Sequence, residues 1–219
     1  MDYDGEAVLA RVRRALGHIQ GIVTPPPSPV VDEALARIVS KDANLADVFA
    51  KFAKEQKMLI SRVGPGDVAG GVVEFLKLQP IKRVALAASE RLARLGIENA
   101  LRSAGFDVLR WDELSLDAMY EFDCAVTDVD CAVAENATLV IRPSAEHGRS
   151  MSLVPMFHVA IVEASQIVPD MLELFARMTH ELNRSNVILI TGPSKTADIE
   201  MNVVTGVHGP NVVQVFLLP

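Results

Sequence analysis

The sequence predicts an α/β fold, with a mixed, mainly parallel sheet flanked by helices and an N-terminal helical extension. Three observations predict it. Strand-like and helix-like patterns alternate between about residues 44 and 109, the rhythm of β–α–β units. The later apolar runs at 159–162, 187–190 and 212–217 are short and rich in Val, Ile and Leu, as strands covered on both faces are. Half of the 219 residues are hydrophobic, enough for one sizeable core.

In chain order, Val8, Leu9, Val12, Leu16 and Ile19 recur at helical spacing and leave Arg11, Arg13 and Arg14 to water, so the first twenty residues read as one amphipathic helix. Pro25, Pro26, Pro27 and Pro29 deny backbone donors and the α conformation, which makes an extended linker of that stretch. Residues 1–30 are therefore expected to form a helix and linker, and residues 31–219 a single α/β domain. A helix runs from Asn44 through Glu55, and Met58, Leu59 and Ile60 begin a strand. The turn at Gly64, Pro65 and Gly66 leads to a helix over 67–78, then a strand over 84–86. A single helix is expected over 90–103, closed by Gly105 as a left-handed cap, with a strand at 107–109. The runs at 124–126, 132–134 and 139–141 follow without helices between them, so part of the sheet is expected to be antiparallel. A strand at 159–162 leads to Pro169, placed to open a helix reaching Leu182. The run at 187–190 is expected to continue the sheet, and 212–217 to close it.

Composition excludes several functions. A formal net charge of -7, from 28 acidic against 21 basic residues, opposes binding to a phosphate backbone, so nucleic acid is not an expected partner. No apolar stretch approaches the roughly 20 residues that cross a bilayer, and the acidic start lacks a signal peptide's positive region. A cytoplasmic protein without membrane insertion is expected. Cys124 and Cys131 are the only cysteines, short of the four thiolates that usually hold an iron–sulfur cluster. No cofactor is expected in this chain.

The most informative stretch is Gly192, Pro193, Ser194, Lys195 and Thr196, followed by Asp198 and Glu200, directly after an apolar strand. If a helix starts near Thr196, free N–H groups, the Ser194 and Thr196 hydroxyls and the Lys195 ammonium converge on a small anion such as phosphate or carboxylate. The alternative is a tight turn with a helix cap that binds nothing, and spacing leaves both open. The phosphate loop G-x-x-x-x-G-K-[ST] is absent, and Thr196 breaks the serine-hydrolase pattern G-x-S-x-G. Gly64, Gly66 and Ala69 match a dinucleotide turn, with Glu90 at the spacing of a ribose contact. A proline inside that turn makes an ordinary strand–helix connection the default. His158 lies within an apolar run, where a core histidine is expected. Arg142 and Arg149 flank a polar loop and would suit an acidic substrate, with solvated loop charges as the default.

The run 191–200 together with Gly206, Val207, His208, Gly209 and Pro210 resembles the C-terminal signature of the lactate-utilisation protein C, or LUD-domain, family. The segments 134–140, 153–160 and 165–169 agree with it. Ala137 stands where the family usually has Gly, and Lys195 where it more often has Arg, which exchanges a bidentate fork for a point charge. The resemblance implies a fold like that of sugar-phosphate isomerases, formyl-tetrahydrofolate cyclo-ligases and coenzyme A transferases. It also implies a role in oxidising L-lactate to pyruvate, with the iron–sulfur clusters on partner subunits. Related coenzyme A transferases use a glutamate in a Glu-Asn-Gly setting as an acyl acceptor, which makes Glu135 a catalytic candidate. A carboxylate capping a turn or pairing with Arg142 is the alternative. His208 is the second catalytic candidate. With Asp198 and Glu200 it would make only a weak metal set, so no metal is expected. Three readings stand: a lactate-utilisation subunit binding a small anion, a stand-alone acyl- or phospho-transfer enzyme, and a structural subunit.

Overall fold

The computed structural model describes residues 5–17, 27, 32, 36–40, 42–115, 117–178, 186–196, 204–205 and 208–219. They fall into two compact units, Met1–Ala36 and Arg37–Pro219. In the first, helix α1 (Gly5–Ala15) buries no residue. Of the proline-rich linker only Pro27 lies among the described residues.

The second unit is built on six parallel strands: β1 (Leu59–Arg62), β2 (Arg83–Leu86), β3 (Asp107–Arg110), β4 (Cys124–Asp128), β7 (Phe157–Glu163) and β12 (Val212–Leu218). They lie in the order β1-β12-β7-β4-β2-β3. Side chains alternate across this sheet, as the two-residue period requires. Val159 and Ile161 of β7, with Phe216 and Leu218 of β12, enter one core. Helices α3 (Val68–Lys77), α4 (Glu90–Arg94) and α5 (Ile97–Ser103) cover that face through Val72, Leu76, Leu92, Ile97 and Leu101. Ala160 and Val162, with Val213, Val215 and Leu217, enter a second core. Phe49 and Ala53 of helix α2 (Leu45–Glu55) contribute to it. Both faces being buried explains why these strands read as continuous apolar runs.

A second sheet closes that side. It is mixed and four-stranded, in the order β8-β5-β6-β9, from β5 (Cys131–Val133), β6 (Thr138–Ile141), β8 (Ile167–Val168) and β9 (Ile188–Ile190). Strand β6 runs antiparallel to β5 and β9, while β5 and β8 are parallel. Leu139, Ile141, Ile188 and Ile190 face the second core. Helix α6 (Met171–Met178) packs behind the sheet through Leu174, against Val133, Val140 and Val168. A two-stranded antiparallel pair, β10 (Lys195–Thr196) and β11 (Val204–Thr205), follows β9.

The α/β expectation therefore holds, with local corrections. The run at 187–190 does not extend the parallel sheet; β9 is an edge strand of the small one. Its exposed Leu189 between buried Ile188 and Ile190 gives the alternation of a half-covered strand. The helix expected over 90–103 is two helices, because Gly96 takes a left-handed φ of +67° between them. Gly105, with φ +91°, ends the second as expected. Asp170 rather than Pro169 caps α6: its carboxylate accepts the Glu173 N–H at 2.8 Å and pairs with Arg37 at 2.6 Å. The expected extension of that helix to Leu182 lies outside the described residues. Among the described residues no helix is long and apolar enough to cross a membrane.

Candidate functional site

The loop after β9 is a packed junction. Thr191 Oγ1 hydrogen-bonds Thr138 Oγ1 at 2.6 Å, tying the loop to the start of β6. Gly192 has φ +90°, and a Cβ there would stand 2.5 Å from the Gln56 carbonyl oxygen. Only glycine lets the backbone come that close to the end of α2. Pro193 is buried, and the Ser194 N–H donates to the Pro210 carbonyl at 2.9 Å. A Cβ on Gly209 would lie 3.3 Å from Ser194 Cβ, so the two halves of the signature motif meet in space. The Lys195 ammonium reaches the Gln56 carbonyl at 3.4 Å, a cation at the negative end of a helix.

Lys195 and Thr196 form the strand β10, paired with Thr205 and Val204, and residues 197–203, where an expected helix near Thr196 would run, lie outside the described residues. Among the described residues the loop presents no helix N-terminus, and Lys195 faces the Gln56 carbonyl. Asp198 and Glu200 lie outside the described residues, and His208 is exposed beside Gly209.

Glu135 sits in the turn between β5 and β6, where its Oε1 accepts the Met171 N–H at 2.9 Å and caps α6. Arg142 instead pairs with Asp130. In the same turn Ala137 has φ +55°, a backbone region that favours glycine. A Gly, which the resemblance leads one to expect at this position, would adopt that φ without strain.

The structure gathers a different set of residues at the carboxyl edge of the parallel sheet. From β2 the chain goes to β3 on one side and then returns to β4 on the other, and a crevice opens at such a reversal in doubly wound sheets. Here it is a cleft of about 410 Å³ whose lining includes Ser89, Arg91, Asp128, Arg142, His147 and Gln166. Ser89 follows β2 and Asp128 ends β4. Arg91 lies 3.3 Å from Glu163 and 3.8 Å from Asp128, and donates to the Val129 carbonyl at 3.2 Å. Burial pushes the Asp128 carboxyl above its ordinary pKa, against the pull of Arg91. Gln166 donates to the Val129 carbonyl at 2.6 Å.

The fourth wall is the polar loop after β6. The Ala88 N–H donates to the Glu146 carbonyl at 2.8 Å, fastening the loop to the chain beyond β2. Gly148 lies so close to Trp111 that a Cβ would come within 2.0 Å of the indole. His147 is buried, and burial lowers its pKa to about 4. Beside it, burial and His147 itself lower His158 to about 3. His158 Nε2 hydrogen-bonds Thr127 Oγ1 at 2.9 Å, as a core histidine does.

Sequence reasoning found Arg142 as a rim charge but missed Ser89, Arg91, Asp128, His147 and Gln166. A polar loop between two apolar runs was the available signal; the strand order that makes it the wall of a crevice was not visible. The dinucleotide pattern also resolves. Glu90 follows β2, which β12, β7 and β4 separate from β1 and its Gly64 turn, so the two cannot share one ribose. Both thiols are buried and held protonated, Cys131 with a pKa pushed up to about 11, which makes them poor nucleophiles and ligands.

A family model described as the LUD domain matches residues 33–218. Among curated relatives, a lactate utilization protein C of Anoxybacillus flavithermus is 34% identical over 131 residues, covering 58% of this chain and 59% of its own. One of Oceanobacillus iheyensis is 27% identical over 203 residues, covering 87% and 86%. The chain thus spans little more than half the length of the first. A crystal structure of a DUF162 family protein from Deinococcus radiodurans superposes with a TM-score of 0.60 at 23% identity, over 80% of this chain and 96% of that one. That likeness supports the fold.

Proposed function

The chain belongs to the LUD domain family, and on that premise we propose that it acts as a subunit of an L-lactate utilisation system, taking a small carboxylate into the cleft at the carboxyl edge of its parallel sheet. The name of its relatives supplies the pathway, and one observation carries the site: Arg91 and Arg142 line a polar crevice at the strand-order reversal, beside His147. Guanidinium groups offer the parallel N–H pairs that a carboxylate accepts. Their acidic partners, Asp128 and Asp130, hold the two forks in place and keep the cleft from attracting anions indiscriminately.

Lactate gives up two electrons in becoming pyruvate. In this reading those electrons leave through iron–sulfur clusters on separate partner proteins, and this chain contributes binding. Calorimetric titration with lactate and pyruvate tests the site. Millimolar affinity is the scale for so few atoms. Arg142→Lys, which keeps the charge but loses the fork, is expected to weaken binding about tenfold, while Lys195→Ala leaves it unchanged. The reverse pattern would move the site to the 192–196 loop. No binding of either acid to the wild type would leave a structural subunit.

A further inference from the structure

One charge pair on the lining of the cleft stays open. Asp128, at the end of β4, and Arg91 both line the cleft, yet they stand 3.8 Å apart, too far for a hydrogen bond. The guanidinium of Arg91 is turned elsewhere, Nε toward Glu163 at 3.3 Å and Nη1 to the Val129 carbonyl at 3.2 Å. Arg142 and Asp130, by contrast, are joined by a direct hydrogen bond. Both members of the open pair keep accessible side-chain surface, 26% for Arg91 and 19% for Asp128, so a ligand in the cleft can reach them. We infer that Asp128 accepts a hydrogen bond from a hydroxyl on the carbon next to the ligand's carboxylate, so that the cleft prefers 2-hydroxy acids to 2-oxo acids and to plain carboxylic acids. This assignment rests on the cleft reading above and adds to it a residue that sets specificity.

Three features of the structure support it. First, Asp128 is a carboxylate short of donors. Burial holds it above its ordinary pKa, although Arg91, its own backbone N–H and the Ser89 hydroxyl pull it down, and a further donor to the ionised oxygens offsets that desolvation. A ligand hydroxyl is such a donor. A keto oxygen is an acceptor only and meets the lone pairs of the carboxylate, and the methylene of a plain acid offers nothing. Second, the amide on the lining is engaged and does not serve a ketone: Gln166 donates to the Val129 and Asp130 carbonyls at 2.6 and 3.2 Å, and its oxygen accepts the Glu163 N–H at 2.8 Å. Third, the fold fixes the gap. Asp128 is paired in register with Ile161 of β7, and Arg91 lies in the first turn of α4, whose N-cap Ser89 accepts the Leu92 N–H at 3.3 Å. An acid with its acceptor and its donor on adjacent carbons spans such a pair. In the proposed system the cleft then takes up lactate and lets pyruvate go, because oxidation turns the donor that Asp128 holds into an acceptor.

The test compares lactate, pyruvate and propionate, which share a three-carbon acid skeleton and differ at the 2-position. Each is titrated calorimetrically into the full chain as wild type, Asp128→Ala and Asp128→Asn. Removing a negative charge strengthens the binding of every anion, so the ratio of affinities is what reports on Asp128. The wild type is expected to bind lactate about tenfold more tightly than pyruvate or propionate, the equivalent of one hydrogen bond to a charged group. The other two are held by the guanidinium groups alone, at the millimolar scale. Asp128→Ala is expected to bind all three acids alike while keeping at least the wild-type affinity for propionate, which also shows that the cleft remains formed. In Asp128→Asn the amide can turn its oxygen to a hydroxyl or its N–H to a ketone, so lactate and pyruvate are expected to bind alike and both more tightly than propionate. If Asp128→Ala shows no cooperative thermal transition, Asp128→Asn, which has the same shape as the native side chain, carries the test. Equal affinity of the wild type for all three acids, a preference for lactate over pyruvate that survives in either variant, or loss of propionate binding in a folded variant would overturn the role of Asp128. The first two results would leave the cleft as a carboxylate site. If none of the acids binds the wild type, the cleft reading fails and this assignment fails with it.

Discussion

Replacing Gly192 with alanine isolates what the signature loop does. The added Cβ would stand 2.5 Å from the Gln56 carbonyl oxygen and 3.4 Å from Gln56 Cβ, at a residue whose φ is +90°. The left-handed backbone costs an L-residue about 1–2 kcal/mol. The overlap is with a backbone oxygen at the end of α2, which moves only if the helix end or the loop moves, and such overpacking costs about 1–3 kcal/mol. A loss of about 3 kcal/mol follows, and in a domain of this size each kcal/mol lowers the melting temperature by roughly 2–4 °C. Thermal melting followed by circular dichroism should therefore show Gly192→Ala melting about 6–12 °C below the wild type. Its affinity for acids in the cleft should be unchanged. A melting temperature within about 2 °C of the wild type would refute the packing argument. Loss of acid binding in a variant that is still folded would show that the loop belongs to the ligand site.

Glu135→Ala should destabilise the chain by about 1 kcal/mol, because α6 loses the acceptor of its Met171 N–H, whereas Glu135→Gln, which keeps an acceptor oxygen, should cost less than half of that; equal effects in denaturant titrations would contradict the capping role. His158 is neutral in the folded chain down to about pH 3 but takes a proton near pH 6.5 when unfolded. Between those values the unfolded state binds more protons, so stability falls as pH drops from 6.5 toward 3. His158→Gln should remove about 3 kcal/mol of the loss between pH 6.5 and 4, and an unchanged acid limb in pH-dependent urea melts would refute it. With both thiols buried and held protonated, the purified chain should be colourless, and stoichiometric iron and sulfide by chemical analysis would contradict that.

The legible parts of the fold were those whose signal is local. The Pro and Gly breaks and the Val- and Ile-rich runs placed nearly every strand of the parallel sheet to within a residue or two, because strands buried on both faces have little polar sequence to confuse them. Gly105 was readable as a cap for the same reason. What failed was non-local. The run at 187–190 carries no mark that says which sheet it joins; the small sheet is built from strands of two to four residues, too short to show a period. Gly96 splits a helix only because it takes a positive φ, which its sequence neighbours do not dictate. Gly192 and Lys195 were read as part of an anion-binding turn; the neighbour the fold gives both is Gln56, more than a hundred positions away, and only the fold shows that contact. The cleft was least legible of all. Its lining is spread from Ser89 to Gln166 over isolated residues and two short stretches, 128–130 and 144–147, and they become a site only once β4 is known to lie on the far side of β2 from β3.

The central claim is that the carboxyl-edge cleft holds a small carboxylate between Arg91 and Arg142. The most direct measurement is a crystal structure of the chain grown with millimolar pyruvate. Pyruvate is expected in the cleft with its carboxylate on the guanidinium of Arg142 or Arg91. Pyruvate bound at Lys195 with the cleft empty would contradict it.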